Sequence, residues 1–233
     1  LPYTPDDPET RQKDLCSREM DIEWTLHALA KALGEAALEP EDFAPLDLPA
    51  LPEGDLTVTR VGEAIAALMP EDTVVVDEGI SASYYLAPGL NRARGHDALT
   101  ITGGSIGFGL PNAVGAAVAC PDRKVVVLEG DGSGMYTLQS LWTMAREGLD
   151  VTTVIFANRG YQILRDELAA MGVNEVGRNA ERMFNVEGPS LDWVALAQGH
   201  GVQAVRVTDM PAFNAAFAEA MAQRGPRLIE VVC

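Results

Sequence analysis

Two short apolar runs, each closed by a small polar turn, constrain this chain more than any other feature. Lys124–Leu128 leads into Gly130-Asp131-Gly132-Ser133, and Val151–Phe156 leads into Asn158-Arg159-Gly160. Both runs have the length and the Val/Ile content of strands buried on both faces of a parallel sheet. A helical pattern separates them. Asp131 and Asn158 therefore stand at the carboxyl ends of two strands joined by a crossover helix, where open α/β sheets take their ligands. The Asp131 carboxylate, the Asn158 amide oxygen and the Gly160 carbonyl are hard oxygen donors. Such a set suits Mg²⁺ that keeps water and phosphate oxygens as its remaining ligands. The same residues also admit a plainer reading, an ordinary β-α-β turn with a solvated aspartate.

The alternation continues along the chain. Thr57 or Thr59 caps a helix over Val61–Leu68, the run Val74–Val76 is a buried strand, and Pro111–Cys120 is a helix. The closing units are a helix at Leu191–Gln198, a strand at Gln203–Val207, a helix at Pro211–Gln223 and a strand at Arg227–Val232. This predicts an α/β fold, a doubly wound parallel sheet with helices on both faces. Between Ala169 and Ser190 the pattern weakens into glycines and charges, which reads as a loop or lid near the site. Upstream, residues 1–20 are polar and read as extended or poorly ordered, Ile22–Leu38 has helical spacing, and Glu39–Asp55 carries prolines among acids and reads as a linker. The expected division is residues 1–55 as an attachment and 56–233 as the compact domain.

Other features bound the function. A net charge of −17 argues against general binding to nucleic acid or to an anionic membrane. It leaves room for an anionic diphosphate, because a metal ion and backbone N–H groups supply local positive potential. Cys16, Cys120 and Cys233 form neither a disulfide framework nor a zinc pattern, which fits a reducing cytoplasm. No apolar run reaches membrane-spanning length and no signal peptide opens the chain. Thr102-Gly103-Gly104-Ser105-Ile106-Gly107-Phe108-Gly109 does not match the dinucleotide fingerprint in register, and there is no Walker A lysine motif. The turn after Val74–Val76, Asp77-Glu78-Gly79-Ile80-Ser81, offers N–H groups and the Ser81 hydroxyl to a phosphate at a helix start. Ser81 and Ser133 read equally as helix N-caps, and Glu78 as a solvated or hydrogen-bonded turn residue.

Taken together, Gly130-Asp131-Gly132 followed by Asn158 resembles the diphosphate-binding signature of thiamine-diphosphate (ThDP) enzymes, over about Leu56–Val232. The resemblance is to their carboxy-terminal domain, nearest to benzoylformate decarboxylase and acetolactate-synthase-like proteins. It implies thiamine diphosphate and Mg²⁺ as cofactors, with Asp131, Asn158 and the Gly160 carbonyl as metal ligands. It implies diphosphate contacts at Ser81, Gly132 and Ser133, with Tyr161 beside them. The segment Gly104-Ser105-Ile106 resembles the one that holds the aminopyrimidine, Gly104 through its carbonyl and Ile106 as the wedge that bends the cofactor. Ala157 replaces the first Asn of the family's pair, which keeps open a non-catalytic module that retains the fold.

The resemblance further implies a small-molecule 2-oxo acid substrate and a homodimer or homotetramer as the complete form. The activating Glu of the family belongs to a pyrimidine-binding domain and matches nothing here, so the chain reads as a fragment inactive alone and no catalytic residue is assigned. Yeast-type pyruvate decarboxylases carry a catalytic Glu at the position of Leu164; an apolar residue there is similar to benzoylformate decarboxylase, though Ile163 and Leu164 also suit a helix face packed on the sheet. An acetolactate synthase, with FAD in its middle domain, is the alternative enzyme, but nothing in this segment indicates FAD. His27, His96 and His200 read as surface or linker residues, His96 being the nearest to the pyrimidine motif.

Overall fold

The computed structural model describes residues 20–34, 46–173 and 175–233. They belong to two units. In the first, Leu1–Pro45, the described residues form helix α1, Ile22–Leu33, capped by Asp21, whose side chain accepts from the Trp24 N–H. Periodicity alone carries this helix to Leu38. It ends sooner because Gly34 adopts the left-handed conformation, φ 75°, that terminates helices at glycine. The readings made for residues 1–19 and 35–45 lie outside the described residues.

The second unit, Leu46–Cys233, is built on one sheet of six parallel strands. They are β1 (Thr73–Glu78), β2 (His96–Thr100), β3 (Val125–Gly130), β4 (Val151–Ala157), β5 (Gln203–Val207) and β6 (Arg227–Val232), in the order β2-β1-β3-β4-β6-β5. The helices are α2 (Val58–Leu68), α3 (Ser83–Leu90), α4 (Gly109–Ala119), the single turn α5 (Asp131–Gly134), α6 (Ser140–Glu147), α7 (Gln162–Ala170), α8 (Arg178–Phe184), α9 (Trp193–Gly199) and α10 (Met210–Ala222). Successive strand residues face opposite sides of a sheet, so each strand feeds two cores. Val75, Val126, Val154 and Ile229 pack with α2, α3 and α10; Val74, Val76, Val127 and Ile155 pack with α4, α6 and α9. The fold is the doubly wound α/β sheet expected from the alternation. From β1 the chain runs outward to β2, then returns to β3 on the other side of β1. The topological switch lies there.

Thr57 is the N-cap of α2, accepting from the Arg60 N–H. Residues 46–55 run against this unit: the Asn214 amide donates to the Pro52 carbonyl, Arg92 pairs with Asp47, and the Met210 N–H donates to the Gly54 carbonyl. Two features depart from the sequence reading. The stretch 169–190 is not simply a loop, since it holds the end of α7 and all of α8, joined by an Arg165–Glu181 ion pair. A seven-residue helix is too short for periodicity to declare. His96 opens the edge strand β2, at the amino end of the sheet and therefore opposite the ends that carry Asp131 and Asn158. Among the described residues no helix is long and apolar enough to cross a membrane.

The crossing of α2 and α3 depends on two glycines. A Cβ on Gly89 would lie 2.5 Å from the Gly62 carbonyl carbon, and one on Gly62 would lie 2.8 Å from the Leu86 oxygen. Backbone cannot yield as a flexible side chain would. Gly89→Ala is expected to destabilise the unit by about 2 kcal/mol through overpacking, despite the roughly 1 kcal/mol gain in helix propensity. Urea denaturation of the variant beside the wild type measures this.

Candidate cofactor and metal site

The turns that follow β1, β3 and β4 open onto one cavity of about 630 Å³. That volume is within the ordinary range for small-molecule sites. The sequence-predicted residues Ser81, Ile106, Asp131, Gly132, Ser133, Asn158, Gly160 and Tyr161 all line it. Gly104 and Ser105 do not; they lie on an exposed loop, with Gly104 at φ 66° and open space where a side chain would stand.

Asp131 begins α5 directly after β3 and is only 3% exposed. Its Oδ2 accepts from the Arg159 N–H at 2.7 Å, which ties the β3 turn to the β4 turn. Burial pushes its pKa up to about 6, against the opposing pull of the N–H groups of Arg159 and Gly132. Asn158 follows β4, and its Oδ1 accepts from the Gly160 N–H at 3.1 Å. Arg159 takes a left-handed conformation, φ 58°, so the backbone doubles back between the two predicted donors. The 158–161 turn is held from outside by N–H donation from Tyr161 to the Phe184 carbonyl and from Val186 to the Arg159 carbonyl. Gly132 is required where it stands, because a Cβ there would meet the Tyr161 ring at 2.5 Å.

The two serines differ. Neither is a helix cap: the N-cap of α3 is Ala82, without a side-chain bond, and Gly130 precedes α5. Ser81 lines the cavity in a turn fixed by Asp77, whose Oδ1 accepts from the Gly79 N–H and the Ser83 hydroxyl. Between them Ile80 is left-handed at φ 52°, a costly conformation for a β-branched residue and a mark of strain held at a site. Ser133 was expected to offer its hydroxyl to phosphate. Instead the hydroxyl is directed into the protein, donating to Glu129 Oε1.

That bond leads to the feature sequence reasoning missed. Glu78 and Glu129 are register partners on adjacent strands, so their side chains share one face, and both are almost fully buried. Of the two readings offered for Glu78, solvated or hydrogen-bonded, the structure shows the second, with the residue closing β1. Its Oε1 accepts from the Gly107 N–H at 2.6 Å and its Oε2 from the Gly109 N–H. Among the described residues Glu129 Oε2 has no hydrogen-bond partner. Burial, reinforced by the neighbouring Glu78 charge, raises the Glu129 pKa well above its ordinary value. No local motif announces this pair, because the partners of Glu78 lie 29 and 31 residues away.

At the cavity mouth, Leu164 and Met183 are exposed rather than packed on the sheet, and α7 buries none of its residues. Cys233, an exposed residue by its overall surface, also lines the cavity, where desolvation of the thiol, with Asp131 nearby, pushes its pKa up to about 11. Ala157 is the last residue of β4, paired in the sheet with Val232 and buried, so the replaced Asn position lies outside the donor set.

The family model for the thiamine pyrophosphate enzyme, C-terminal TPP binding domain, matches residues 82–231, and the chain belongs to this family. IlvX of Mycobacterium tuberculosis, whose name places it with acetolactate synthase large subunits, is 46% identical over 208 residues, covering 89% of this chain and 40% of IlvX. Benzoylformate decarboxylase of Pseudomonas aeruginosa is 32% identical over 213 residues, covering 91% of this chain and 39% of the relative. Among solved structures, the thiamine diphosphate-dependent 4-hydroxybenzoylformate decarboxylase of Rhodococcus jostii RHA1 superposes with a TM-score of 0.72 at 30% identity, over 89% of this chain and 38% of that one. The chain thus spans about two fifths of the length of the relatives it matches. The family is one of enzymes, and its cofactor is thiamine diphosphate.

The Asp131 shift has a sign that can be measured. Its folded pKa, about 6, lies above the ordinary 3.8, so between those values the folded chain holds a proton that the unfolded chain has lost. The contribution of Asp131 to stability is therefore full below 3.8, is lost as pH rises to about 6, and changes no further above that. Denaturation in chelator across this range should show the fall in wild type and a shallower one in Asp131→Asn.

Proposed function

We propose that this chain holds Mg²⁺ and the diphosphate of thiamine diphosphate for a 2-oxo acid decarboxylase or carboligase. The observation that carries the reading is the convergence of Asp131 and Asn158, from the ends of adjacent parallel strands, on one cavity that Ser81 also lines. The chemistry of the donors fits the metal. Asp131 supplies the charge, Asn158 Oδ1 and the Gly160 carbonyl supply neutral oxygen, and the set leaves coordination positions for phosphate and water. Gly132 lets the backbone come close, and the Ser81 turn presents N–H groups and a hydroxyl to the same anion. Since the Ser133 hydroxyl is engaged by Glu129, its share in phosphate binding is through the backbone.

Bound at such a site, thiamine diphosphate supplies an electron sink for the carbon that loses carbon dioxide. This chain's part is to anchor and orient. Ile106 stands in the cavity as the support that bends the cofactor, Gly104 and Ser105 receive the aminopyrimidine beside it, and Leu164 and Met183 make the substrate side apolar. The activating Glu and the rest of the substrate pocket come from a pyrimidine-binding domain of a homodimeric or homotetrameric whole. The 46% identity to IlvX favours an acetolactate synthase as the second reading, and flavin absorbance in the full-length enzyme separates the two. The free thiols Cys120 and Cys233 agree with a cytoplasmic enzyme.

Calorimetry of the chain with thiamine diphosphate should give binding that requires Mg²⁺, with no decarboxylation of 2-oxo acids by the chain alone. Asp131→Ala, which removes the one charged donor of the set, should weaken that binding by about a hundredfold or more. Wild-type affinity in the variant would place the metal elsewhere, and no binding by the wild type would favour a non-catalytic module.

A further inference from the structure

We infer that Glu78 is the positioning residue of this site, a carboxylate on β1 that clamps residues 107–109 and thereby sets where Ile106 stands in the cavity. The reference to Ile106 and the cofactor rests on the function proposed above; the clamp itself does not.

The geometry is that of a helix cap supplied from another element. Helix α4 begins at Gly109, and its N-cap residue, Phe108, makes no side-chain cap bond. The first N–H groups of a helix need acceptors and favour a negative charge. Glu78 provides both, with one oxygen for Gly107 and the other for Gly109. Both side-chain oxygens of Glu78 are thus used as acceptors for backbone N–H groups. The approach is close enough to demand glycine at the helix start, since a Cβ on Gly109 would lie 2.9 Å from Glu78 Oε2 and would collide with Glu129 Oε2. A second bond secures the same loop from the β3 side, with the Thr137 hydroxyl donating to the Gly107 carbonyl at 2.9 Å. Ile106 directly precedes these anchors and lines the cavity, while Gly103 and Gly104, further from the clamp, have nothing within 4 Å of their Cβ positions. The loop is therefore tied to the rest of the domain at its helical end, while its other end has only the local bonds from Ser105 N–H to the Thr102 carbonyl and from Ile106 N–H to the Gly104 carbonyl, and Glu78 determines where the tied part begins. Glu129, beside Glu78, takes the Ser133 hydroxyl. The two carboxyl groups thus link the 107–109 loop to the turn that carries Asp131.

Amide hydrogen exchange on the 233-residue chain tests the clamp without any ligand. In wild type the Gly107 and Gly109 amides should exchange at least tenfold more slowly than those of Gly103 and Gly104; equal rates would overturn the proposal with no variant needed. In Glu78→Gln one accepting oxygen becomes an NH₂ group facing an N–H. Exchange at Gly107 and Gly109 should then speed up about tenfold or more, with Val126 and Leu128 in β3 unchanged. Unchanged loop protection in that variant would also overturn it. With Mg²⁺ present, Glu78→Gln should weaken thiamine diphosphate by about tenfold while leaving inorganic diphosphate unaffected. Equal losses for both probes would assign Glu78 to general integrity and refute the positioning role. Failure of the wild type to bind either probe would refute the proposed function and leave the exchange result to judge the clamp.

Discussion

The site depends on one constraint, the parallel register that brings β1, β3 and β4 to their carboxyl ends side by side. Glu78 pairs with Glu129 and Glu129 with Ile155, so the strands finish nearly together and their turns share one rim. Nothing in the turns themselves would bring Ser81, Asp131 and Asn158 to a common cavity. The row of apolar contacts beneath does so, because a slip of one residue would exchange the two faces of a strand and expose Val74 and Val76 or Val75 on the wrong core. Backbone geometry then adds detail. Left-handed Ile80 and Arg159 fold the turns tightly, and each is held by hydrogen bonds around it, through Asp77 in the first case and through Asp131 and the 184–186 segment in the second.

Burying two carboxyl groups beside each other is costly unless charge and hydrogen bonds are distributed between them. Here the distribution is unequal. Glu78 has the N–H donors and the start of α4; Glu129 has a single hydroxyl and an oxygen with no donor. The second environment favours the neutral form of Glu129, while the first places the acceptor oxygens of Glu78 where an uncapped helix needs them. A hydrophobic pair at these two positions would pack well but would leave the Gly107 and Gly109 N–H groups buried without acceptors.

The sequence carried the sheet well and the site unevenly, for reasons that follow from range. The strands Gln203–Val207 and Arg227–Val232 were legible to the residue because glycine, proline and polar residues bracket them, while the cap of α2 was legible only as Thr57 or Thr59, the structure taking Thr57 and starting the helix at Val58. Asp131 and Asn158 announced themselves through residue type at strand ends. The edge strand β2 did not, being largely exposed and lacking the apolar run of a central strand. Helix α8 was hidden by its length and charges. Glu78 was the largest omission: a single Glu after a valine run looks the same whether it meets water or the first turn of α4, and only the fold brings that turn to it. Gly104 and Ser105 show the converse limit, since a motif places residues in a loop without fixing which of them face the cavity.

A chain with a net charge of −17 that is to hold a diphosphate needs its positive potential built locally and in order. Asp131 is buried beside N–H donors, yet desolvation outweighs them and leaves it near 6, so its charge is poorly compensated by the protein itself. On the function proposed above, a divalent cation would resolve that imbalance more fully than a proton does, because it would also recruit the neutral oxygens of Asn158 and Gly160 and offer unfilled coordination positions to phosphate. The diphosphate would then meet a cation instead of a bare carboxylate, with the Ser81 turn lining the same cavity. In this arrangement the anion cannot profitably bind before the metal: without it, phosphate oxygens would face Asp131 across a low-dielectric cavity, where repulsion is little screened. On the proposed function, metal dependence of cofactor binding would thus follow from where the sheet places the buried Asp131.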